Sequence, residues 1–334
     1  METRKVQITG KSTYIISLPK TWVNKVNIKN GDSVSMVPRS DGTLLVNPKL
    51  NQKEEVFQNT IDIDAGDNDV LHRKFIGAYL SGFNLIEINS KNRFSSDMRR
   101  NIRKLIHNVI GPEIIDETSQ SIKVKDLLDS SDLSLIRGLK RMYVITRGMF
   151  KDAVLAIQKN DLDLAEDVES RDDEVDKFYW MIAKQYNLVL NDLFFAEKMR
   201  VKTREALGYL LVARSIERIA DHAKKLAGNI KHIKIEEKMS EKIVNTSEEI
   251  LSLFDDSFNS FNRDSFDSAN DVITKAKKLA DKTKKLNDIL YNTKTDSETI
   301  ASLAIILDSI ERTRAYTIDI AEAAINHQFS KIHN

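Results

Sequence analysis

The chain has 334 residues, 41% apolar and 30% charged, with eleven glycines, four prolines and no cysteine. That composition fits a globular protein of two or three domains with long uninterrupted helices, and it excludes disulfides, thiol catalysis and Cys-zinc sites. The net charge of +1 is unevenly spread: residues 1–49 carry eight Lys/Arg against three Asp/Glu, while residues 50–129 and 130–334 each sum to −2. A basic head on a slightly acidic body can engage a polyanion through one end only. No apolar run approaches the ~20 residues needed to span a bilayer, and METRKVQITG lacks the apolar core of a signal peptide, so a cytoplasmic protein is expected.

Val6 and Ile8, then Tyr14, Ile16 and Leu18, alternate with polar residues as strands do, and Gly10-Lys11-Ser12 breaks the run. Pro19 ends the second strand and can open a helix, where its missing N–H is not needed. Trp22, Val23 and Val26 form a short helical stripe, and turns at Asn30-Gly31 and Asp41-Gly42 frame two further strands. The unit reads β-β-α-β-β and closes near Pro48. In this order and spacing, "ITGKSTYIISLPKTWVNKVNIKNGDSVSMV" resembles the AbrB/SpoVT-type swapped-hairpin domain. The resemblance implies a barrel made by two interleaved chains, hence a homodimer, and DNA contact through basic residues. Here those are Arg4, Lys5, Lys11 and Lys20, in or beside the hairpin.

Residues 50–69 are polar and read as a linker, with Asp62, Asp64, Asp67 and Asp69 forming a solvated acidic loop. A small α/β segment follows: a helix over 71–82, a strand over 84–89, a helix capped by Ser95 or Ser96 and stopped by Gly111-Pro112, and two short strands over 113–116 and 121–124. Arg99, Arg100, Arg103 and Lys104 give its second helix a basic, solvated face.

From Leu133 onward apolar residues recur at three and four, which predicts helices over 133–159, 162–186, 201–232, 239–262, 266–291 and 298–327. These form two sets of three. "LLVARSIERIADHAKKLA" parallels "IILDSIERTRAYTIDIA" at a shift of 94, and "FKDAVLAIQKND" parallels "FDDSFNSFNRDS" at a shift of 104. The ten-residue difference falls in the loop "NLVLNDLFFAEKMR". The expected fold is mainly α: tandem three-helix bundles over 130–235 and 236–334, a small α/β segment over 49–129, and a swapped-hairpin β-barrel unit over 1–48.

Glu169, Asp172, Asp173 and Asp176 fall on one face of the second helix, and Glu217 and Asp221 sit four apart on the third. Packed antiparallel, the two helices bring these acids together, and clustered carboxylate oxygens suit hard cations. Ion pairs with Arg171, Lys177, Arg218 and Lys224 are the other reading of the same charges. His222, beside Asp221, reads as a packing residue.

"SRDDEVDKFYWMIAK" and "SIERIADHAKKLAGNI" resemble the two acidic helices of PhoU-type phosphate-uptake regulators, over roughly residues 130–330. The resemblance implies tandem three-helix bundles and a metal site formed by Asp172, Asp176, Glu217 and Asp221, with Glu169 and Asp173 nearby, holding Fe, Mn, Mg or Zn. In the second repeat the matching positions are Ala276, Ala280, Glu311 and Ala315, so at most one site, in the first repeat, is expected.

Three functions compete. One is a regulator of phosphate uptake that binds DNA through its dimeric head and senses through its helical body. Another is an adaptor acting on a phosphate transporter or signalling partner, the head serving only to dimerise. The third is a metalloenzyme, which lacks support: there is no Glu-x-x-His pair, no G-x-x-x-x-G-K-[ST] loop and no G-x-S-x-G elbow, so a non-enzyme is expected.

Overall fold

The computed structural model describes residues 2–39, 42–48, 56–63, 67–233, 237–290 and 296–332. It divides into two compact units, Met1–Glu55 and Val56–His333.

The first unit has the expected β-β-α-β-β order. Strands β1 (Gln7–Thr9) and β2 (Thr13–Ile15) pair antiparallel, Ile8 opposite Tyr14, around a turn that holds Gly10 at φ +64. Pro19 caps helix α1 (Lys20–Lys25), and its carbonyl accepts from Val23 N at 2.9 Å. Strands β3 (Ser35–Pro38) and β4 (Leu44–Asn47) form a second, separate hairpin. The expected barrel is therefore not closed within one chain. Four short strands cannot wrap around an interior, and none of the described residues of 2–48 is buried. Val6, Ile8, Tyr14, Ile16 and Met36 all stand more than half exposed.

The second unit begins with a four-stranded sheet in the order β5-β6-β8-β7. Strand β5 (Gln58–Ile63) runs parallel to β6 (Leu85–Ser90), while β8 (Ser121–Asp126) is antiparallel to β6 and to β7 (Pro112–Glu117). Strand β5 corrects the linker reading of 50–69. Ile61 and Ile63 alternate with polar neighbours and are buried, a period-two signal that the surrounding acids obscured. The stretches 49–55 and 64–66, including Asp64, lie outside the described residues, and Asp67 serves as an N-cap, accepting from Val70 N at 3.2 Å. Helices α2 (Asn68–Leu80) and α3 (Ser96–His107) bury Leu71, Phe75, Tyr79, Ile102 and Ile106 with the inner sheet residues Ile86, Ile88, Ile122 and Val124. Ser95 caps α3, as expected, accepting from Met98 N at 3.1 Å.

The helical body comprises α4 (Leu135–Lys159), α5 (Leu162–Asn191), α6 (Leu193–Met199), α7 (Thr203–Gly228), α8 (Glu237–Arg263), α9 (Phe266–Leu290) and α10 (Ser297–Ile332). The repeat is visible in the backbone. Asn160 after α4 and Asp264 after α8, 104 residues apart, both turn through the left-handed region, at φ 50 and 52. The ion pair of Arg171 with Asp152, 2.7 Å, recurs as Lys275 with Asp256, 3.9 Å. The insertion read as a loop over 187–200 is instead the end of α5 plus α6. Asn187 donates to the Leu80 carbonyl at 2.9 Å and Val189 is fully buried, so packing against α2 continues the helix past Tyr186.

That extension joins the α/β segment to the bundles. Trp180 packs against both hydrophobic clusters. Gln185 donates to the carbonyls of Ser130 and Leu133, each at 2.6 Å. Lys184 forms an ion pair with Asp126 at the end of β8, the two side chains 4% and 6% exposed, with Nζ 4.7 Å from the centre of the Tyr79 ring. Gly111 leaves room for this pair, because a Cβ there would collide with the Asp126 carboxylate. Removing one partner strands the other charge in the interior, at a cost of about 3–5 kcal/mol. The substitution Lys184→Met should lower the unfolding free energy measured in urea by that amount, and Lys184→Met with Asp126→Asn should recover much of the loss.

Candidate functional site

Helices α5 and α7 pack antiparallel: Lys224 meets Asp172, and Arg214 Nη1 donates to Tyr179 Oη at 2.9 Å. The two acidic runs therefore face each other, as the sequence spacing required. Asp172 is buried and held by Lys224 at 2.7 Å. Asp221 lies 3.4 Å from Arg218 Nη1, and the same guanidinium stands 3.6 Å from Glu217. Arg171 turns away to Asp152 and Asp167. Glu169 lies nearer the start of α5, against Gly228, and Asp173 is exposed.

These counter-charges do not complete the site. Among the described residues, no hydrogen bond reaches Glu217 Oε2, which is buried. Asp176 is pushed up to about 7, first by burial and then by the charges of Asp172, Glu217, Asp221 and Asp173. Burial, reinforced by neighbouring acids, also raises Glu217 and Asp221. These mutual shifts mean that Asp172, Asp176, Glu217 and Asp221 share one field, with Asp173 at its edge. As placed, no three Asp, Glu or His side chains among the described residues stand close enough to hold one metal ion.

His222 is a packing residue: buried, its Nδ1 3.2 Å from Ser309 Oγ on α10, and held down to about 4 by desolvation. Two polar groups escaped the sequence reading. Arg214 and Tyr179 bond beside the acids, a contact between helices that one-helix spacing cannot show. Lys184 stood in plain view as a single cation in the apolar run "MIAKQYNLVL".

The basic residues of the head are placed apart along its chain. Arg4 pairs with Glu2, Lys5 precedes β1, Lys11 lies in the β1–β2 turn and Lys20 opens α1; all four are exposed.

Comparison with known proteins gives these elements a family. Residues 139–230 match the PhoU domain. The chain carries a PhoU domain. Residues 7–53 match the family described as antidote-toxin recognition MazE, bacterial antitoxin, so the head is of the MazE/AbrB-like kind. A phosphate-specific transport system accessory protein PhoU homolog of Caulobacter vibrioides is 36% identical over 95 residues, which are 28% of this chain and 38% of that protein. PhoU homolog 1 of Thermotoga maritima is 30% identical over 132 residues, 39% of this chain and 54% of the relative. The chain thus spans about half or less of the length of these curated relatives. The crystal structure of PhoU from Pseudomonas aeruginosa superposes with a TM-score of 0.52 at 18% identity, covering 59% of this chain and 96% of that one. The phosphate transport system regulatory protein PhoU of Streptococcus pneumoniae does so at 0.50 and 16%, covering 60% and 96%. Both establish the fold, tandem helical bundles, which reach beyond the matched PhoU domain. No helix among the described residues is long and apolar enough to cross a membrane.

The raised Asp176 fixes the sign of a pH effect. Its carboxyl is easier to keep protonated in the folded chain than in the unfolded one, so its contribution is present below about pH 4 and lost as pH rises through 7. With chelator present, Asp176→Asn should raise Tm by roughly 5 °C at pH 8. Thermal melts across pH should show the gain shrinking towards pH 5.

Proposed function

We propose that this protein regulates phosphate uptake, its MazE/AbrB-like head pairing with a second copy and contacting DNA, its first PhoU repeat sensing through a bound cation. The PhoU-domain match over 139–230 carries this reading, because it frames the carboxylate cluster of α5 and α7. The donor chemistry favours a cation, which would have to draw the acids together, since as placed no three of the described acids stand close enough to hold one. Glu217 Oε2 is buried with no hydrogen bond, only the Arg218 guanidinium 3.6 Å away, and Asp176 is held protonatable by burial and by the neighbouring acids, so an added positive charge would be stabilised there. Asp172, Asp176, Glu217 and Asp221 would supply the oxygens, a donor set suited to Mg, Mn or Fe more than to a thiolate-seeking metal. A bound cation would supply neutralising charge; the chain's part is to hold α5 and α7 so that their acids converge.

For the head, the exposed Val6, Ile8, Tyr14 and Ile16 argue for association, since a unit without buried residues gains an interior by pairing. Lys5, Lys11 and Lys20, with Arg4 competing against Glu2, would contact phosphates rather than base edges. A second reading, an adaptor acting on a phosphate transporter without touching DNA, is favoured by the curated relatives' description as transport-system accessory proteins.

Metal analysis tests the cluster. Protein loaded with Mn²⁺ or Fe³⁺ and desalted should retain metal, and Asp172→Ala with Asp176→Ala should lose it while keeping the far-UV spectrum. Fluorescence anisotropy on duplex DNA separates the two readings. The DNA reading expects affinity that falls about 10-fold or more between 50 and 200 mM salt and weakens in Lys5→Ala with Lys11→Ala. No binding at 50 mM salt leaves the adaptor.

A further inference from the structure

The two repeats treat one carboxylate in opposite ways. Glu217 of α7 and Glu311 of α10 hold the same position, 94 residues apart. Around Glu217 stand three more acids; around Glu311 the corresponding positions are Ala276, Ala280 and Ala315. At the position of the fully buried Ala220, α10 carries Arg314, which is 8% exposed. Its Nε and Nη2 donate to the two Glu311 oxygens at 2.9 and 2.5 Å, and its Nη1 donates to the Ala276 carbonyl at 3.0 Å. Thr283 Oγ1, from the Tyr179 position of α9, donates to Glu311 Oε2. The guanidinium thus bridges α9 and α10 at the level where Asp172 and Glu217 face each other across α5 and α7.

We infer that Arg314 is a built-in cation that closes the second repeat permanently, so that any metal the chain takes up is held in its first repeat alone. The physical argument is one of charge and room. A planar guanidinium satisfies a carboxylate through two parallel donors and cannot lose its proton, so Glu311 has no spare charge for an ion. The three alanines offer no replacement donors. A mobile ion in the first repeat and a tethered one in the second let two similar three-helix units share a packing scheme while differing in what they answer to. The metal half rests on reading the first cluster as a cation site; the closure of the second repeat rests on its own geometry.

Two measurements on the full-length chain decide it. In Mn²⁺-loaded protein, Asp172→Ala with Asp176→Ala should remove all bound metal and Glu311→Gln should leave the metal content unchanged. Metal that survives the first variant and disappears in the second overturns the inference. A stability cycle decides the closure alone. Arg314→Met strands the Glu311 charge and Glu311→Gln strands Arg314, so each should lower Tm, the first by about 5 °C, and the double substitution should regain most of the loss. Losses that simply add overturn the role given to Arg314. A wild-type chain that binds no Mn²⁺ overturns the cation reading of the first repeat and the metal half of the inference, while the cycle still decides whether Arg314 holds the second repeat shut.

Discussion

The body of this protein depends on how closely α7 and α10 approach each other. They meet through Gly208 against His327 and through His222 against Ser309, all on one face of each helix. Gly208 is the tightest point: a Cβ there would fall 2.6 Å from His327 Nδ1. Buried polar pairs such as His222 with Ser309 then fix the register between the two helices. The remaining long helices flank this central pair, α4 and α5 on α7, α8 and α9 on α10, which is why a repeat in sequence becomes a near-symmetric pair of bundles.

Within that frame the repeats diverged mainly in charge. The first leaves a cluster of acids partly balanced by Lys224 and Arg218. The second closes its one remaining acid with Arg314. Buried charge is costly unless paired, so an incompletely paired cluster is stable only if its protons or a ligand supply the balance.

Much of this was legible in the chain. Helical periodicity gave each long helix to within a few residues, because one apolar stripe faces one core. Cap residues such as Ser95 were readable for the same local reason. The convergence of Asp172, Asp176, Glu217 and Asp221 followed from spacing plus antiparallel packing. What escaped was non-local. Strand β5 looked like linker because its Ile61 and Ile63 lie among acids, and only pairing with β6 makes them interior. The end of α5 looked like loop because α2, over a hundred residues earlier, provides the surface it packs on, and α6 because its Phe195 and Met199 pack on the distant helical core. The buried pair of Lys184 with Asp126 joins residues 58 apart, and no window on the sequence spans it.

The head and the body also differ in what keeps each one ordered. The body has interiors of its own, a helical core and the core of the α/β segment. Every described residue of the head keeps some contact with solvent. Under the proposed pairing its order would follow mass action, tightening as the molecule becomes abundant and loosening on dilution. On that proposal one polypeptide joins a part ordered by its own interior to a part ordered by its partner, and the amount made becomes an input to whatever the head does.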